Sequence, residues 1–426
     1  MPRAKDYNEA WNLLFEQLDI LEKIHSEGTF LITAKTINEV YEARLMAKFD
    51  TIESLPAIFR KNNLNINALK NGEYVIFFDE NWGSFSRLSD RGGMEPIAFT
   101  AGAITRLDTL TYSPKMSESA ALDFAHHCGL LAHHFKEREL VLTTRGRFYS
   151  HPFELHLGGA NTPLQVKGVQ VEVDAGMEGT EQFILIEAKS STRKTFNIRQ
   201  LYYPLQHFRS VTDKTIRTVL ICFSNGVYHF TEFQFSSRYF EYRIVDECSY
   251  EIKLPPEPGA QLGLDMTTAS VLRDKVPVPQ ANDLNKVLDT LAFLSVQAAN
   301  KHDIAAHFEF DERQGDYYAN AVCFLQLARK EGTLFTPTPL GHQLIGITDR
   351  QLRNEQLAKA ILATPFFGDL MTTFQQQGND LREEQVMERL KEEGLSGNTL
   401  TRRATSVRAW IKWLRSNGYF NTGLFS

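Results

Sequence analysis

Between Val171 and Lys189 the chain reads VEVDAGMEGTEQFILIEAK, and no other stretch constrains fold and chemistry as much. The run Phe183-Ile184-Leu185-Ile186 is short, bulky and partly β-branched, which predicts a buried strand. Side chains alternate along a strand, so Glu187 and Lys189, two apart at its end, share a face. Asp174 stands before the short polar turn that leads into this run, which puts two carboxylates and an ammonium on one edge of a hairpin. Metal-assisted phosphodiester hydrolysis uses such a set: hard oxygen ligands for magnesium, and a cation to orient the attacking water or hold transition-state charge. The same residues admit a plainer reading, in which the Asp and Gly are turn chemistry and Glu-x-Lys is a solvated cross-strand pair.

The pattern Asp174 … Glu187-x-Lys189 resembles that of the PD-(D/E)xK nuclease superfamily, which includes most type II restriction endonucleases. The resemblance implies an α/β chain with an α+β restriction-endonuclease-like core, a mixed central sheet flanked by helices. It also implies Mg²⁺ as cofactor, with Mn²⁺ able to substitute, metal ligation at Asp174, Glu187 and Ala188, and a positioning or charge-stabilising role for Lys189. The implied products carry 5′-phosphate and 3′-hydroxyl ends. Arg199, Gln200, Tyr202 and Tyr203 resemble the Gln- and Tyr-bearing helix that follows the motif in many of these nucleases, which adds Gln200 to the expected site. Core packing is the alternative for the two tyrosines. In this family a helix before the hairpin often contributes a further acid. The stretch Ser117 to Phe135 predicts such a helix, N-capped by Ser117 and apolar at positions 121, 124, 125, 128 and 131. Glu118 and Asp123 are its candidate acids, and Asp123 is preferred because it lies deeper in the helix.

Charge points to a polyanionic substrate. From Lys189 to Arg217 there are seven Lys/Arg against one Asp, in a chain whose net charge is −6. Within that stretch Arg193, Lys194 and Arg199 are expected to contact DNA. The next segment, Thr218 to Phe235, has a continuous apolar run, a Ser224-Asn225-Gly226 turn and then alternation, which predicts a hairpin with one buried strand. His126, His127, His133 and His134 on the upstream helix suggest zinc. No Cys or acid stands at the tight spacing of a structural zinc site, so they are expected to be solvent-facing or half-buried. The four cysteines, 128, 222, 248 and 323, are scattered, and they suggest small core residues in a reducing compartment.

At 426 residues and 42% hydrophobic content, the chain is long enough for two to four domains. MPRAKDYNEAW passes from charges into an amphipathic helix, and no apolar run approaches a membrane span. A soluble, cytoplasmic protein is expected. A net charge of −6 and a pI near 6.1 argue against a passive, histone-like DNA coat.

The C-terminal third reads differently. From Leu395 to Ser426 there are five basic residues and no acid. A helix from about Thr399 to Asn417 is expected there, with apolar residues at 407, 410, 411 and 414 on its core face and Arg402, Arg403 and Arg408 elsewhere. Helix, short helix, turn, basic helix and a Gly-Tyr-Phe edge is the order of a winged helix-turn-helix. A similar order precedes it: helices over 283–299, 302–308 and 314–329, then EGTLFTPTPLGHQLI as a two-strand wing. Arg313, Gln314, Tyr317, Tyr318 and Asn320 open the third of these helices, where a recognition helix touches bases. Both segments resemble DNA-binding modules fused to some type II restriction enzymes; winged helices that bind protein or are purely structural are the alternative.

Residues 255–282 hold five prolines without periodicity, as a linker does. Near the N-terminus, helices over 7–24 and 37–48 and a strand over 72–78 are expected. EARLMAKFDTIESLPAIFRKNNLNI resembles the N-terminal region of uncharacterised restriction-type proteins, in which Arg44, Lys48, Arg60 and Lys61 would contact phosphates or be plain surface charges. The expected division is an accessory domain (1–110), a nuclease core (111–254), the linker, and winged helices over 283–346 and 350–426. The expected function is Mg²⁺-dependent cleavage of double-stranded DNA at or near a short sequence, with the bearing of methylation left open. The expected partners are a second copy, as homodimer or transient dimer on DNA, and a cognate methyltransferase. A DNA-binding regulator with an inert nuclease-like core and a structure-specific repair nuclease are the alternatives.

Overall fold

A computed structural model describes residues 4–89, 95–101, 107–157, 162–236, 238–254, 276–377 and 383–419, the side chains of 374–377 excepted. The chain divides into two compact units: one of 1–104, 122–222 and 228–250, the other of 105–121, 223–227 and 251–426. The protein is mixed α/β, with a large mixed sheet flanked by helices. Among the described residues no helix is long and apolar enough to cross a membrane.

The first unit begins with helices Tyr7–Gln17 and Ile20–Glu27, where a single helix was expected. Asp19 between them takes the left-handed conformation, which ends the first helix and redirects the second. The expected helix over 37–48 is likewise two short pieces, Ala34–Asn38 and Ala43–Met46. These helices and a further one, Ala57–Asn62, pack Trp11, Phe15, Ile24, Met46 and Phe59 against a three-stranded sheet of Thr29–Thr33, Glu73–Phe78 and Leu64–Lys70.

The large sheet has seven strands. Across it the order is Ile97–Thr100, Tyr242–Lys253, Val227–Phe235, Thr215–Ser224, Gln182–Lys189, Gln170–Glu178 and Val141–Tyr149. Gln182–Lys189 lies near the middle, antiparallel to Gln170–Glu178 and parallel to Thr215–Ser224. A parallel neighbour needs a crossover, and the helix Arg199–Phe208 supplies it. All but the first of the eight residues of Gln182–Lys189 are buried, as its continuous apolar run requires. Asn225 and Gly226 both have positive φ (46° and 76°), the conformation of the tight hairpin turn expected there.

The upstream helix starts where Ser117 predicts, its hydroxyl accepting from the Ala120 amide at 3.3 Å. It ends at His127, and a second helix, Leu130–Phe135, follows Gly129 at φ 87°. The break is set by glycine, which enters the left-handed region without a Cβ penalty.

In the second unit, helices Leu284–Val296, Lys301–Phe308 and Glu312–Phe324 precede antiparallel strands Ala328–Glu331 and Leu334–Pro337. Asn300 and Asp303 form a capping box on the middle helix. The two-strand element starts at Ala328, earlier than expected. Residues from Pro339 to Gly346 are helical, with Thr338 accepting from the Gly341 amide, so the second half of the segment expected to be a two-strand wing is a helix opened by Pro339. Beyond lie Arg350–Leu362, Pro365–Gln377, Glu383–Glu392 and the basic helix Gly397–Ser416. One buried apolar cluster runs from Val278 to Leu414 through both segments that were expected to be separate domains. Most of the expected linker, and Phe420 of the expected Gly-Tyr-Phe edge, lie outside the described residues. Val278 and Ala281, at the linker's far end, belong to the cluster.

Candidate active site

The ladder between Gln170–Glu178 and Gln182–Lys189 ends at the pair Ile186↔Ala175. The next residues on each side are Asp174 and Glu187, so two acids emerge together where the ladder opens. Asp174 then uses its carboxylate in place of a strand partner: the Ala188 amide donates to its Oδ2 at 2.7 Å. Close packing behind the site relies on Gly176, where a Cβ would sit 2.9 Å from both Phe183 and Thr144.

Glu187 and Lys189 project from the same face. Lys189 Nζ donates to Glu187 Oε1 at 3.0 Å, and Gln200 Nε2 donates to the same oxygen at 2.6 Å. Both motif residues are buried, so neither the solvated pair nor simple turn chemistry describes them. Burial pushes the Glu187 carboxyl up to about 8; Lys189 opposes this, and Asp174 and then Asp50 add to it. Asp174 is also raised by burial, against the Ala188 amide and Lys189. Gln200 Oε1 is buried and has no hydrogen-bond partner among the described residues. The site therefore holds buried acids that resist ionising and an acceptor facing no donor.

Asp123 is linked to this cluster through Arg145. Its carboxylate is held by Arg145 at 2.5 and 3.1 Å, and Arg145 Nε also donates to the backbone carbonyl of Asp174 at 2.8 Å. Its charge is thus committed to a neighbour that braces the strand. Glu118 lies in the helix's first turn.

The acid that sequence reading missed is Asp50. It is nearly buried, pairs with Arg199 at 3.4 Å and acts on Glu187. Segment 49–53 is sewn to the strand Thr195–Asn197 just after the motif. The Asn197 amide donates to Asp50 O at 3.0 Å, Asn197 Nδ2 to Phe49 O at 2.8 Å, and Thr195 Oγ1 to Glu53 Oε2 at 3.0 Å. Lys48, one of the expected phosphate contacts, acts on Asp174. Arg44 pairs with Glu42, and Arg60 is spent on the carbonyls of Glu53 and Leu55. Lys61 is exposed. Nothing local in the string KFDTIES marks Asp50, because its neighbours come from distant strands.

The basic run after the motif is less open than its count suggested. Lys189, Arg199, Lys214 and Arg217 pair with Glu187, Asp50, Glu178 and Glu232 respectively. Arg193 is buried and donates to Ser191 O at 3.2 Å; Lys194 and Arg209 are exposed. Tyr202 and Tyr203 are core residues, and the Tyr203 hydroxyl also donates to Ala68 O at 3.0 Å.

In the second unit, Arg313 is exposed at the start of helix Glu312–Phe324, with Gln314, Tyr317, Tyr318 and Asn320 half-buried behind it. Arg402 is exposed. Arg408 pairs with Glu383 at 2.8 Å. Arg403 is half-buried, its pKa lowered by that burial and supported by Tyr317, and its Nε and Nη1 have no hydrogen-bond partner among the described residues.

Three family models match the chain. Each is a domain of unknown function: DUF6996 over residues 8–76, DUF6997 over 91–251 and DUF7226 over 286–417. No curated protein and no solved structure matches it. The first model includes Asp50, the second the whole Asp174–Lys189 motif, and the third both helical segments of the second unit. The chain is thus similar to three families whose descriptions assign no chemistry, and what it does rests on the geometry of its own site.

Proposed function

We propose that this protein is a magnesium-dependent endonuclease of the PD-(D/E)xK type, with a restriction-endonuclease-like core and winged-helix modules that read double-stranded DNA. The observation that carries the reading is the convergence of Asp174, Glu187, Lys189 and Gln200 at the end of one buried strand, with Asp50 alongside.

The donor set fits a hard divalent cation. Its ligands would be oxygens of Asp174 and Glu187 and the Ala188 backbone, and burial has left both carboxyls favouring a proton that a cation would replace. Magnesium bound there would polarise the scissile phosphate and make a water more acidic. The remaining work belongs to the chain. Lys189, already within hydrogen-bond distance of Glu187, orients the attacking water or neutralises charge growing on the phosphate. Gln200 fixes the Glu187 oxygen through its amide and offers its open Oε1 to a water or substrate donor. Arg145 braces Asp174 through its carbonyl.

For DNA reading, the exposed Arg313 and Arg402 lie on helices of the expected recognition type, and the two strands from Ala328 to Pro337 follow the first of them as a wing would. Plasmid cleavage with Mg²⁺, on DNA from methylating and non-methylating hosts, tests the whole reading. Asp174→Ala should abolish cutting while DNA binding persists, and Lys189→Ala should slow it by roughly 100-fold or more. Asp123→Asn, at a carboxylate already taken by Arg145, should lose far less than Asp174→Ala. Full activity in Asp174→Ala, or cleavage that persists in EDTA, refutes the proposal.

A further inference from the structure

The strand Tyr242–Lys253 places Asp246 and Cys248 two apart, hence on one face, and the short helix Leu130–Phe135 brings His134 against them. Cys248 Sγ is 3.5 Å from His134 Nδ1, and Asp246 Oδ2 is 3.9 Å from His134 Nε2. One donor atom from each of the three can be chosen so that all lie within 4.8 Å of one another. The His134 side chain is only 4% exposed, and its Nε2 has no hydrogen-bond partner among the described residues. None of the three takes part in the candidate active site.

We propose that His134, Asp246 and Cys248 form a zinc site that ties the helix Leu130–Phe135 to the sheet. The ligand chemistry selects the metal: one imidazole nitrogen, one thiolate and one carboxylate are a borderline-soft set that suits zinc and does not suit magnesium. With usual Zn–N and Zn–S bond lengths, tetrahedral geometry separates nitrogen from sulfur by about 3.5 Å, the spacing already present between His134 and Cys248. The zinc would sit on Nδ1, the nitrogen beside Cys248, so the Asp246 carboxylate, now 3.9 Å from the other ring nitrogen, must swing round to that side and close by about an ångström from the present spread. The Asp246 side chain is half-exposed and free to swing that far, and its exposure leaves room for water as fourth ligand.

The surroundings favour a neutral, ligating histidine. Burial pushes His134 down to about 4, Asp246 opposing and Arg217 assisting, so the ring carries no proton to be displaced at neutral pH. The Arg217 guanidinium would repel a cation if unpaired. It is instead held by Glu232 and stacked on Phe135, 4.8 Å from the ring centre, so its charge is largely met. Tyr250 O–H, 3.4 Å from His134 Nδ1, would yield that nitrogen to the metal. Binding would exchange the thiol proton of Cys248 for the metal, with no redox change.

The test uses the full-length protein, stripped of metal by chelation, dialysed against zinc and assayed by elemental analysis. The expected result is one tightly held zinc per chain. That zinc should be retained in Glu187→Gln, which alters only the acid site, and lost in Cys248→Ser and Asp246→Asn. Replacement by Co²⁺ should produce the intense thiolate-to-cobalt charge-transfer band in the near ultraviolet, absent from Cys248→Ser. Circular dichroism checks that the variants are folded, and Asp246→Asn, at a half-exposed position, keeps the test open should Cys248→Ser fail to fold. No zinc retained by the wild type, or a cobalt spectrum unchanged by Cys248→Ser, would overturn the site and leave Cys248 as a plain hydrogen-bonding thiol. Either result is independent of the nuclease reading, since zinc is counted without any cleavage assay.

Discussion

Magnesium binding should release a proton, and the amount is set by Glu187. Its carboxyl stands at about 8 against an ordinary 4.5, chiefly because burial penalises the ion. At pH 7 most molecules then hold this proton in the metal-free state, so binding should release close to one proton there and progressively less as pH rises through about 8. A carboxyl with the ordinary value would release less than about 0.01 at pH 7, so the two cases differ by about two orders of magnitude. Below pH 8 the apparent Mg²⁺ affinity should fall about tenfold per pH unit. Asp174, also raised, should steepen the dependence toward the acid side. The sign for stability follows the same shift. A carboxyl that is harder to ionise in the folded state contributes stability below pH 4.5, and that contribution is lost as pH rises through about 8. The metal-free protein should therefore lose stability across that window, and saturating Mg²⁺ should restore it. Isothermal titration calorimetry in buffers of different ionisation enthalpy counts the protons, and Glu187→Gln supplies the control. Binding without proton release at pH 7, or release that survives in Glu187→Gln, would refute the assignment of Glu187 as the displaced acid.

Three further outcomes probe the neighbours. Asp50→Asn removes a negative charge that holds Glu187 up, so the proton-release curve should move to lower pH; a curve that stays in place would exclude Asp50 from the site. Arg402→Ala should lower the slope of log affinity against log salt by about 0.9 if it meets a phosphate, whereas the half-buried Arg403 should change affinity with less effect on the slope. Equal slopes for wild type and Arg402→Ala would show that this arginine does not contact the backbone. Arg353 is fully buried and donates to Asn225 Oδ1, Asn225 O and the carbonyls of Ile347 and Thr348. Arg353→Met strands those acceptors and should cost on the order of 3 kcal/mol or more in urea unfolding of the second unit; a loss below about 1 kcal/mol would show that the acceptors find other donors.

Much of the local structure was legible because it depends on neighbours in the chain. The apolar run at Phe183–Ile186, the Asn225-Gly226 turn, the Ser117 cap and the basic helix begun near Thr399 each follow from periodicity, turn chemistry or capping, which act over a few residues. The edge formed by Asp174, Glu187 and Lys189 was legible for the same reason: a hairpin and a two-residue period suffice to bring those side chains together. Where helices break was less so, since the apolar faces of 7–24 and 117–135 continue across Asp19 and Gly129 while single left-handed residues redirect the backbone.

Only the tertiary structure decided which charges meet. Depth in the helix favoured Asp123 over Glu118 as the further acid; in the fold Arg145 from a neighbouring strand pairs with Asp123, and Asp50 from the N-terminal segment adds to the charge that raises Glu187. A basic count over 189–217 suggested an open face, yet Glu187 on the same strand meets Lys189, and carboxylates on other strands or in the N-terminal segment absorb three more of those charges. Likewise the histidines of the upstream helix lacked a ligand nearby in sequence, and the strand Tyr242–Lys253, far along the chain, brings Asp246 and Cys248 to His134. The physical reason is common to all three. Periodicity fixes the face on which a side chain emerges, whereas its partner, its solvation and hence its ionisation depend on the element the fold packs against that face, which separation along the chain does not encode.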